Sequence, residues 1–128
     1  MTLNFYTRPF HQAKYGSWVY DAKSNFVFQF ENKYDEKGEY IDGVKKLQQE
    51  VIFSLNALDS EPIEELNLSI DSNDECMILN NDIPFIMIRG WGNLTGTGGY
   101  NFDMDKASKI QDDFRDWIIY KLTKKGSE

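Results

Sequence analysis

The chain has 128 residues, 41% of them hydrophobic and 15% aromatic, which is enough for one domain whose core needs no disulfide or metal. Its 21 acidic and 14 basic side chains give a formal net charge of -7, which disfavours direct nucleic-acid binding and leaves a basic protein partner as an option. The single cysteine, Cys76, excludes an intramolecular disulfide and a thiolate metal cluster within one chain.

The first predicted element is a β-hairpin. Residues 17–20 and 25–31 are rich in the aromatic and β-branched side chains that favour strands, and the turn formers at 21–24 join them. The second strand is expected to bury an aromatic face, which consists of Phe26, Phe28 and Phe30. The residues before the hairpin, including the only histidine, His11, are expected to form a loop.

After a polar linker the hydrophobic period changes from two to about 3.6, which predicts a helix over residues 42–58. Its apolar stripe consists of Val44, Leu47, Val51, Leu55 and Leu58. Asp42 is the expected N-cap because its carboxylate can accept a hydrogen bond from an amide of the first turn. Pro62 prevents the helix from continuing.

The second half of the chain has a similar order of elements. Strands are predicted at 66–71, 76–79 and 84–91, separated by short polar turns. A second helix is predicted over 104–124, and the last residues, KKGSE, are expected to fray. The apolar stripe of that helix consists of Ala107, Ile110, Phe114, Trp117, Ile118 and Leu122.

This order of strands and helices predicts a single α+β domain over residues 1–128, with an antiparallel β-sheet and two amphipathic helices on one face. An offset of 63 residues aligns the two halves, with Asp42 on Asp105. The alignment leaves open a duplicated βββα unit, with pseudo-repeats at 1–60 and 63–124. The alternative is that any two amphipathic helices look alike once their apolar stripes are aligned.

The stretch GWGNLTGTGGYNFDMD, residues 90–105, is the candidate site. It lacks the Lys and Ser or Thr that follow the last glycine of a P-loop, and it also departs from the dinucleotide fingerprint. Asp103 and Asp105 add negative charge at a helix N-terminus, so a neutral ligand or a protein partner suits the loop better than an anion. The residues expected to bind it are Trp91, Asn93, Thr95, Thr97 and Tyr100. The alternative is a structural turn in which Trp91 closes the edge of the core.

Two stretches carry a resemblance to known proteins. The block PFIMIRGWGNLTGTGGYNFDMDKASKIQDDFRDWIIYKL, residues 84–122, resembles a segment of small uncharacterised bacterial proteins, some of them carried by phages or mobile elements. The hairpin WVYDAKSNFVFQFE, residues 18–31, is similar in style to other small proteins of that kind. The resemblance covers about half the chain and implies a family of unknown function, with no activity or functional residue to carry over.

The residues favour binding over catalysis. No recognisable pattern pairs a nucleophile with a base, and no metal-ligand or cofactor motif is found, so the sequence predicts a non-enzymatic binding protein without metal or cofactor. His11 is expected to be a solvated loop residue. The alternative is a small enzyme that uses carboxylates such as Asp103 and Asp105 as acid and base.

The acidic residues are expected to form a solvated surface, with imitation of nucleic acid toward a basic protein as an alternative. The run Asp71–Glu75 resembles the start of a calcium loop but lacks the glycine at its sixth position, which favours a tight turn instead. The sequence has no run of about 18 apolar residues and no signal-peptide pattern at its N-terminus, so a cytoplasmic protein without a membrane span is expected.

Overall fold

The fold is seen in a computed structural model. It describes residues 3, 5–14, 17–31, 36–39, 41, 43–89, 104–124 and 126–127. Within these ranges the chain forms a six-stranded antiparallel sheet and two α-helices, so the predicted α+β class is confirmed.

Eight strands and two helices make up the described part of the chain. The strands of the main sheet are β1 (His11–Gln12), β2 (Trp18–Tyr20), β3 (Phe26–Phe30), β5 (Leu68–Asp71), β6 (Asp74–Asn80) and β7 (Ile83–Ile88). Two shorter strands, β4 (Asp59–Ser60) and β8 (Gly126–Ser127), pair with each other, and the helices are α1 (Val44–Asn56) and α2 (Met104–Thr123). The strand order in the main sheet is β1-β2-β3-β7-β6-β5, with each neighbouring pair antiparallel.

The centre of the sheet is the pairing of β3 with β7. Phe28 stands opposite Ile88 and Phe30 opposite Ile86, and directly opposed residues share a face of the sheet. All four side chains are buried, and the ring centroid of Phe28 lies 6.4 Å from that of Phe114 in α2. This is therefore the face that the helices cover.

Helix α2 is buried along the stripe that the sequence predicts. The buried residues are Ala107, Ile110, Phe114, Trp117, Ile118 and Leu122. The ring centroid of Phe114 also lies 4.7 Å from that of Tyr6 and 6.0 Å from that of Phe10, so the N-terminal segment packs against α2. Val51 and Leu55 of α1 join the same core, which confirms two amphipathic helices on one face.

Two cationic side chains bind backbone carbonyls at the end of α1 and just beyond it. Arg8 donates from Nε to the Leu55 carbonyl at 2.9 Å, and Lys121 donates from Nζ to the Leu58 carbonyl at 2.9 Å. The Arg8 guanidinium also lies 5.4 Å from the centre of the Trp117 ring. Burial and the nearby charge of Arg8 lower the pKa of Lys121. Arg8 thus meets a carbonyl at the negative end of the α1 dipole, and Lys121 meets a carbonyl just beyond the helix, which gives both cations a structural role.

The predicted loop before the hairpin is partly wrong. His11 and Gln12 form β1 at the edge of the sheet, opposite Tyr20 and Val19 of β2. A strand of two residues is defined by its partner, and it has no periodicity of its own that a sequence pattern could reveal.

The predicted aromatic face of β3 is also partly wrong. Phe28 and Phe30 are buried, but Phe26 is partly exposed and stacks on Trp18, with ring centroids 5.0 Å apart. A bulge in the β2–β3 pairing beside Tyr20 causes the change, because an extra residue interrupts the alternation of side chains. Val27 is fully buried in consequence.

Helix α1 is shorter than predicted at both ends. Gly43, with φ of 81°, takes the N-cap position without a side-chain hydrogen bond, and Asp42, the predicted cap, lies outside the described residues. The helix ends at Asn56 because Ala57 is extended. Leu58 therefore lies beyond the helix and is 73% exposed, although it was predicted to belong to the buried stripe.

The end of the chain differs from the predicted frayed tail. Gly126 and Ser127 form β8 opposite Ser60 and Asp59 of β4. The strand order also runs symmetrically outward from the central β3–β7 pair, as a duplicated βββα unit would require. Shared ancestry does not follow from this order, so the duplication stays a prediction.

Candidate functional site

A large recess runs beside α1, and we name it the α1 groove. Its volume is about 860 Å³. The lining residues are Lys46, Gln49, Glu50, Phe53, Ser54, Pro62, Ile63, Glu64 and Glu65. One wall is thus the exposed side of α1, and the other is the turn that follows β4.

The helix wall presents an aromatic ring to solvent. Lys46, Glu50 and Phe53 recur at spacings of four and three and so lie on one stripe of α1. The buried residues Val51 and Leu55 lie on the opposite stripe. Phe53 is 76% exposed, so its ring contributes to the groove and little to the core.

The turn wall is held in place by α2. The amide of Ile63 donates to the Leu122 carbonyl at 2.9 Å, and the amide of Leu66 donates to the Ile63 carbonyl at 3.1 Å. Leu66 and Leu122 are both buried in the core. The side chains of Pro62 and Ile63 are therefore held beside α1, and together with Phe53 they form the apolar surface of the groove.

The groove continues along α1 toward its N-terminus. An adjoining hollow of about 320 Å³ shares Lys46, Glu50 and Glu65 with it and extends to Gly43. From Gly43 to Ser54 the helix rises by about 16 Å at 1.5 Å per residue. The combined recess is thus long and open to solvent along its length.

A separate, smaller pocket lies between the other side of α1 and the turn joining β6 to β7. Its volume is about 170 Å³, and Phe30, Leu47, Pro84 and Phe85 contribute apolar walls. It is below the usual size of a small-molecule site, which is roughly 300 Å³ or more.

The face of the sheet opposite the helices carries a row of aromatic rings near the β1 edge. Ring centroids of His11 and Tyr20 lie 5.9 Å apart, those of Tyr20 and Phe26 5.7 Å, and those of Phe26 and Trp18 5.0 Å. Trp18 is 51% exposed at the end of this row. The rings support one another and use His11 as a stacking partner.

Cys76 is placed for packing. Its thiol donates a hydrogen bond to Oε1 of Gln111 at 3.0 Å, and burial together with the carboxylate of Asp74 raises its pKa. The thiol therefore stays protonated and weakly nucleophilic at neutral pH.

The acidic run Asp71–Glu75 spans the predicted tight turn between β5 and β6, which consists of Ser72 and Asn73. Oδ1 of Asp71 accepts from the amide of Asn73 at 2.9 Å, and Oδ1 of Asp74 accepts from the amide of Cys76 at 3.0 Å. These carboxylates stabilise the turn. Among the residues that the structure describes, no group of three or more His, Cys, Asp or Glu side chains is arranged to hold a metal ion.

The residues predicted to bind a partner lie outside the described residues. They are Trp91, Asn93, Thr95, Thr97 and Tyr100. Asp103, one of the two carboxylates of the alternative enzyme, also lies outside them. Asp105 is exposed in the first turn of α2, where its charge suits the helix dipole.

Sequence reasoning missed the α1 groove, although one signal was present. Phe53 is a large apolar residue off the predicted apolar stripe, on the polar side of an amphipathic helix. The second wall gave no local signal, because Pro62 and Ile63 reach this position only through the contact with α2.

Comparison with protein-family models, with curated proteins and with solved structures gives no match to this chain. The resemblance to small uncharacterised bacterial proteins, some of them carried by phages or mobile elements, therefore stays a prediction from the sequence. Neither helix of the described residues is long and apolar enough to cross a membrane.

Proposed function

We propose that this chain is a non-enzymatic binding protein that contacts a protein partner through the α1 groove. The observation that carries the proposal is Phe53, whose ring is 76% exposed inside a groove. A single exposed apolar side chain is common on protein surfaces, but Phe53 lies beside Pro62 and Ile63. The three side chains together form a continuous apolar surface. Aromatic side chains in such recesses are frequent anchors of protein interfaces.

The shape of the groove favours a polypeptide segment over a small molecule. Small-molecule sites enclose most of the ligand surface, whereas the α1 groove is open along about three helical turns. Covering the ring of Phe53 would contribute about 2 kcal/mol of apolar burial. The turn wall is already held by a backbone hydrogen bond from Ile63 to Leu122 of α2, so binding requires little rearrangement there.

Selection of a display library of random short peptides against the folded chain tests this function. We expect enriched peptides whose affinity falls about tenfold or more on Phe53→Ala, because the truncation removes apolar contact. Leu58→Ala is the matched control, since Leu58 is equally exposed but does not line the groove. Failure to enrich any peptide, or equal binding to the Phe53→Ala variant, would overturn the proposal.

The contact predicted from the sequence at residues 90–101 is a second part of the proposal. Two aromatic residues, Trp91 and Tyr100, flank the glycines of that stretch and are suited to anchor a partner. Trp91→Ala should weaken capture of a partner that the wild-type chain binds. Unchanged capture with unchanged thermal stability would remove this contact and leave the test at Phe53 unaffected.

A further inference from the structure

We infer that the α1 groove binds a short basic peptide segment in which one large apolar side chain stands between arginine or lysine residues. The inference rests on the proposed function and adds the chemistry of the partner. The inference depends on the charged residues that surround the apolar surface of the groove.

Carboxylates stand on both walls of the groove. Glu50 lies on the helix wall, and the exposed Glu64 and Glu65 lie on the turn wall, against one lining cation, Lys46. The ion pairs seen in the described ranges include those of Lys109 and Arg115 in α2. None of these pairs involves Glu50, Glu64 or Glu65. An occupant of the groove therefore meets uncompensated negative charge on either side of Phe53.

The length of the recess sets the size of the occupant. About 16 Å of helix borders it, which corresponds to roughly five residues of extended chain at 3.3 Å per residue. One apolar side chain can then contact Phe53, Pro62 and Ile63, while long cationic side chains before and after it reach the two walls. Arginine and lysine suit this arrangement because their aliphatic stems pack on apolar surface while their charged ends stay solvated.

Charge also separates this occupant from the alternatives. A second copy of this chain carries a net charge of -7, so its approach is opposed by repulsion between like surfaces. Nucleic acid and acidic peptides meet the same repulsion at Glu50, Glu64 and Glu65. A neutral apolar peptide gains the contact with Phe53 but leaves the carboxylates without partners.

Three labelled peptides test the inference by fluorescence anisotropy. The first has a central tryptophan with two arginines on each side, the second has glutamine in place of arginine, and the third keeps arginine but has a central glycine. At low salt the first should bind about tenfold tighter than the second, and the difference should shrink as salt screens exposed charges. The third should show no binding that depends on Phe53.

Variants of the chain locate the effect. The double substitution Glu64→Lys and Glu65→Lys should abolish the preference for arginine over glutamine, and Phe53→Ala should weaken both tryptophan peptides. The charge-matched control is Glu75→Lys with Asp105→Lys, at exposed sites that do not line the groove. This control should retain most of the preference. Thermal melts verify that each variant is folded.

The outcomes distinguish the inference from the proposed function. Equal Phe53-dependent binding of the arginine and glutamine peptides would overturn the inference and leave the proposed function standing. If library selection also enriched no Phe53-dependent peptide, both would fall. Phe53-dependent dimerisation of the wild-type chain in sedimentation, without peptide binding, would instead identify a second copy as the occupant and overturn the inference.

Discussion

Asp21 joins the N-terminal segment to the hairpin turn through one buried carboxylate. Its oxygens accept hydrogen bonds from the amides of Thr7, Lys23 and Asn25 and from Nδ2 of Asn25, at 2.9–3.2 Å. Burial alone would raise its pKa, but the hydrogen bonds, led by those from Asn25, outweigh burial and hold the pKa below its ordinary value. Asp21 is 0% exposed, so its hydrogen bonds are shielded from solvent.

We expect Asp21→Asn to lower the free energy of unfolding by about 2–4 kcal/mol. Both carboxylate oxygens of Asp21 accept hydrogen bonds, and the NH2 group of asparagine would replace one of these acceptors with a donor. Since the folded pKa of Asp21 is depressed, its contribution is present above the unfolded value, about 3.9, and is lost as pH falls through the folded pKa. Urea unfolding at several acidic pH values measures both effects. The variant should have a flatter acid dependence than the wild type.

Asp105→Asn provides the control, since Asp105 is exposed in the first turn of α2. Its cost should stay below about 1 kcal/mol. An equal loss in the two variants, or an unchanged acid dependence in Asp21→Asn, would contradict the special role of the buried carboxylate.

At the residue scale, the sequence indicated the type of some side chains but not their surroundings. Asp21 was recognisable as a turn former because short polar side chains bond nearby amides. Its bond to Thr7, 14 positions away, depends on how the N-terminal segment packs. Phe53 was visible as an apolar residue off the buried stripe, yet the groove around it depends on the distant contact between Ile63 and Leu122.

The last turn of α1 is tied to the N-terminal segment by one amide side chain. Oδ1 of Asn56 accepts from the amide of Phe10 at 2.6 Å, and Nδ2 of Asn56 donates to the Phe10 carbonyl at 2.9 Å. Phe10 is buried, and its ring packs near Phe114 and Trp117 of α2. The side chain of Asn56 thus satisfies both backbone polar groups of Phe10, as a neighbouring strand would, while α2 packs against the Phe10 ring.

We expect Asn56→Ala to lower the free energy of unfolding by about 2–3 kcal/mol, because it leaves a buried amide and carbonyl of Phe10 without partners. Asn56→Asp keeps an acceptor for the Phe10 amide but loses the donor to the Phe10 carbonyl. It should therefore preserve the first hydrogen bond, which Asn56→Ala removes together with the second. Lys45→Ala on the same helix should stay within about 0.5 kcal/mol, because Lys45 is exposed. Chemical denaturation measures all three, and a cost of Asn56→Ala equal to that of Lys45→Ala would contradict this account.

At the element scale, predictability followed the length of the pattern. Helix α2 was predicted to within about one residue because its six stripe residues, Ala107 to Leu122, recur over about four turns. Strands β1, β4 and β8 have two residues each and exist through their pairing, which no periodicity reveals. The displacement of Phe26 had the same origin, since a bulge is set by the partner strand.

The whole molecule carries unbalanced negative charge. Within α2, Lys109 pairs with Asp113, and Arg115 pairs with Asp112 and Asp116. The exposed pair of Lys109 with Asp113 contributes little to stability. With a net charge of -7, the acidic side chains of the folded chain repel one another, and the same negative charge attracts the basic partner inferred above.

We expect the melting temperature of the free chain at neutral pH to rise by roughly 3–6 °C as sodium chloride is increased from about 10 mM to about 200 mM, because relieving about 1 kcal/mol of repulsion shifts Tm by that amount. Sodium thiocyanate added over the same range of ionic strength should give a similar rise in melting temperature, since screening does not depend on the anion. The increase should shrink near the isoelectric point of about 4.7, where little net charge remains. Binding of the arginine peptide should weaken over the same salt range. A melting temperature of the free chain that fell with salt, as peptide affinity does, would show that repulsion between acidic side chains does not limit the stability of the free chain.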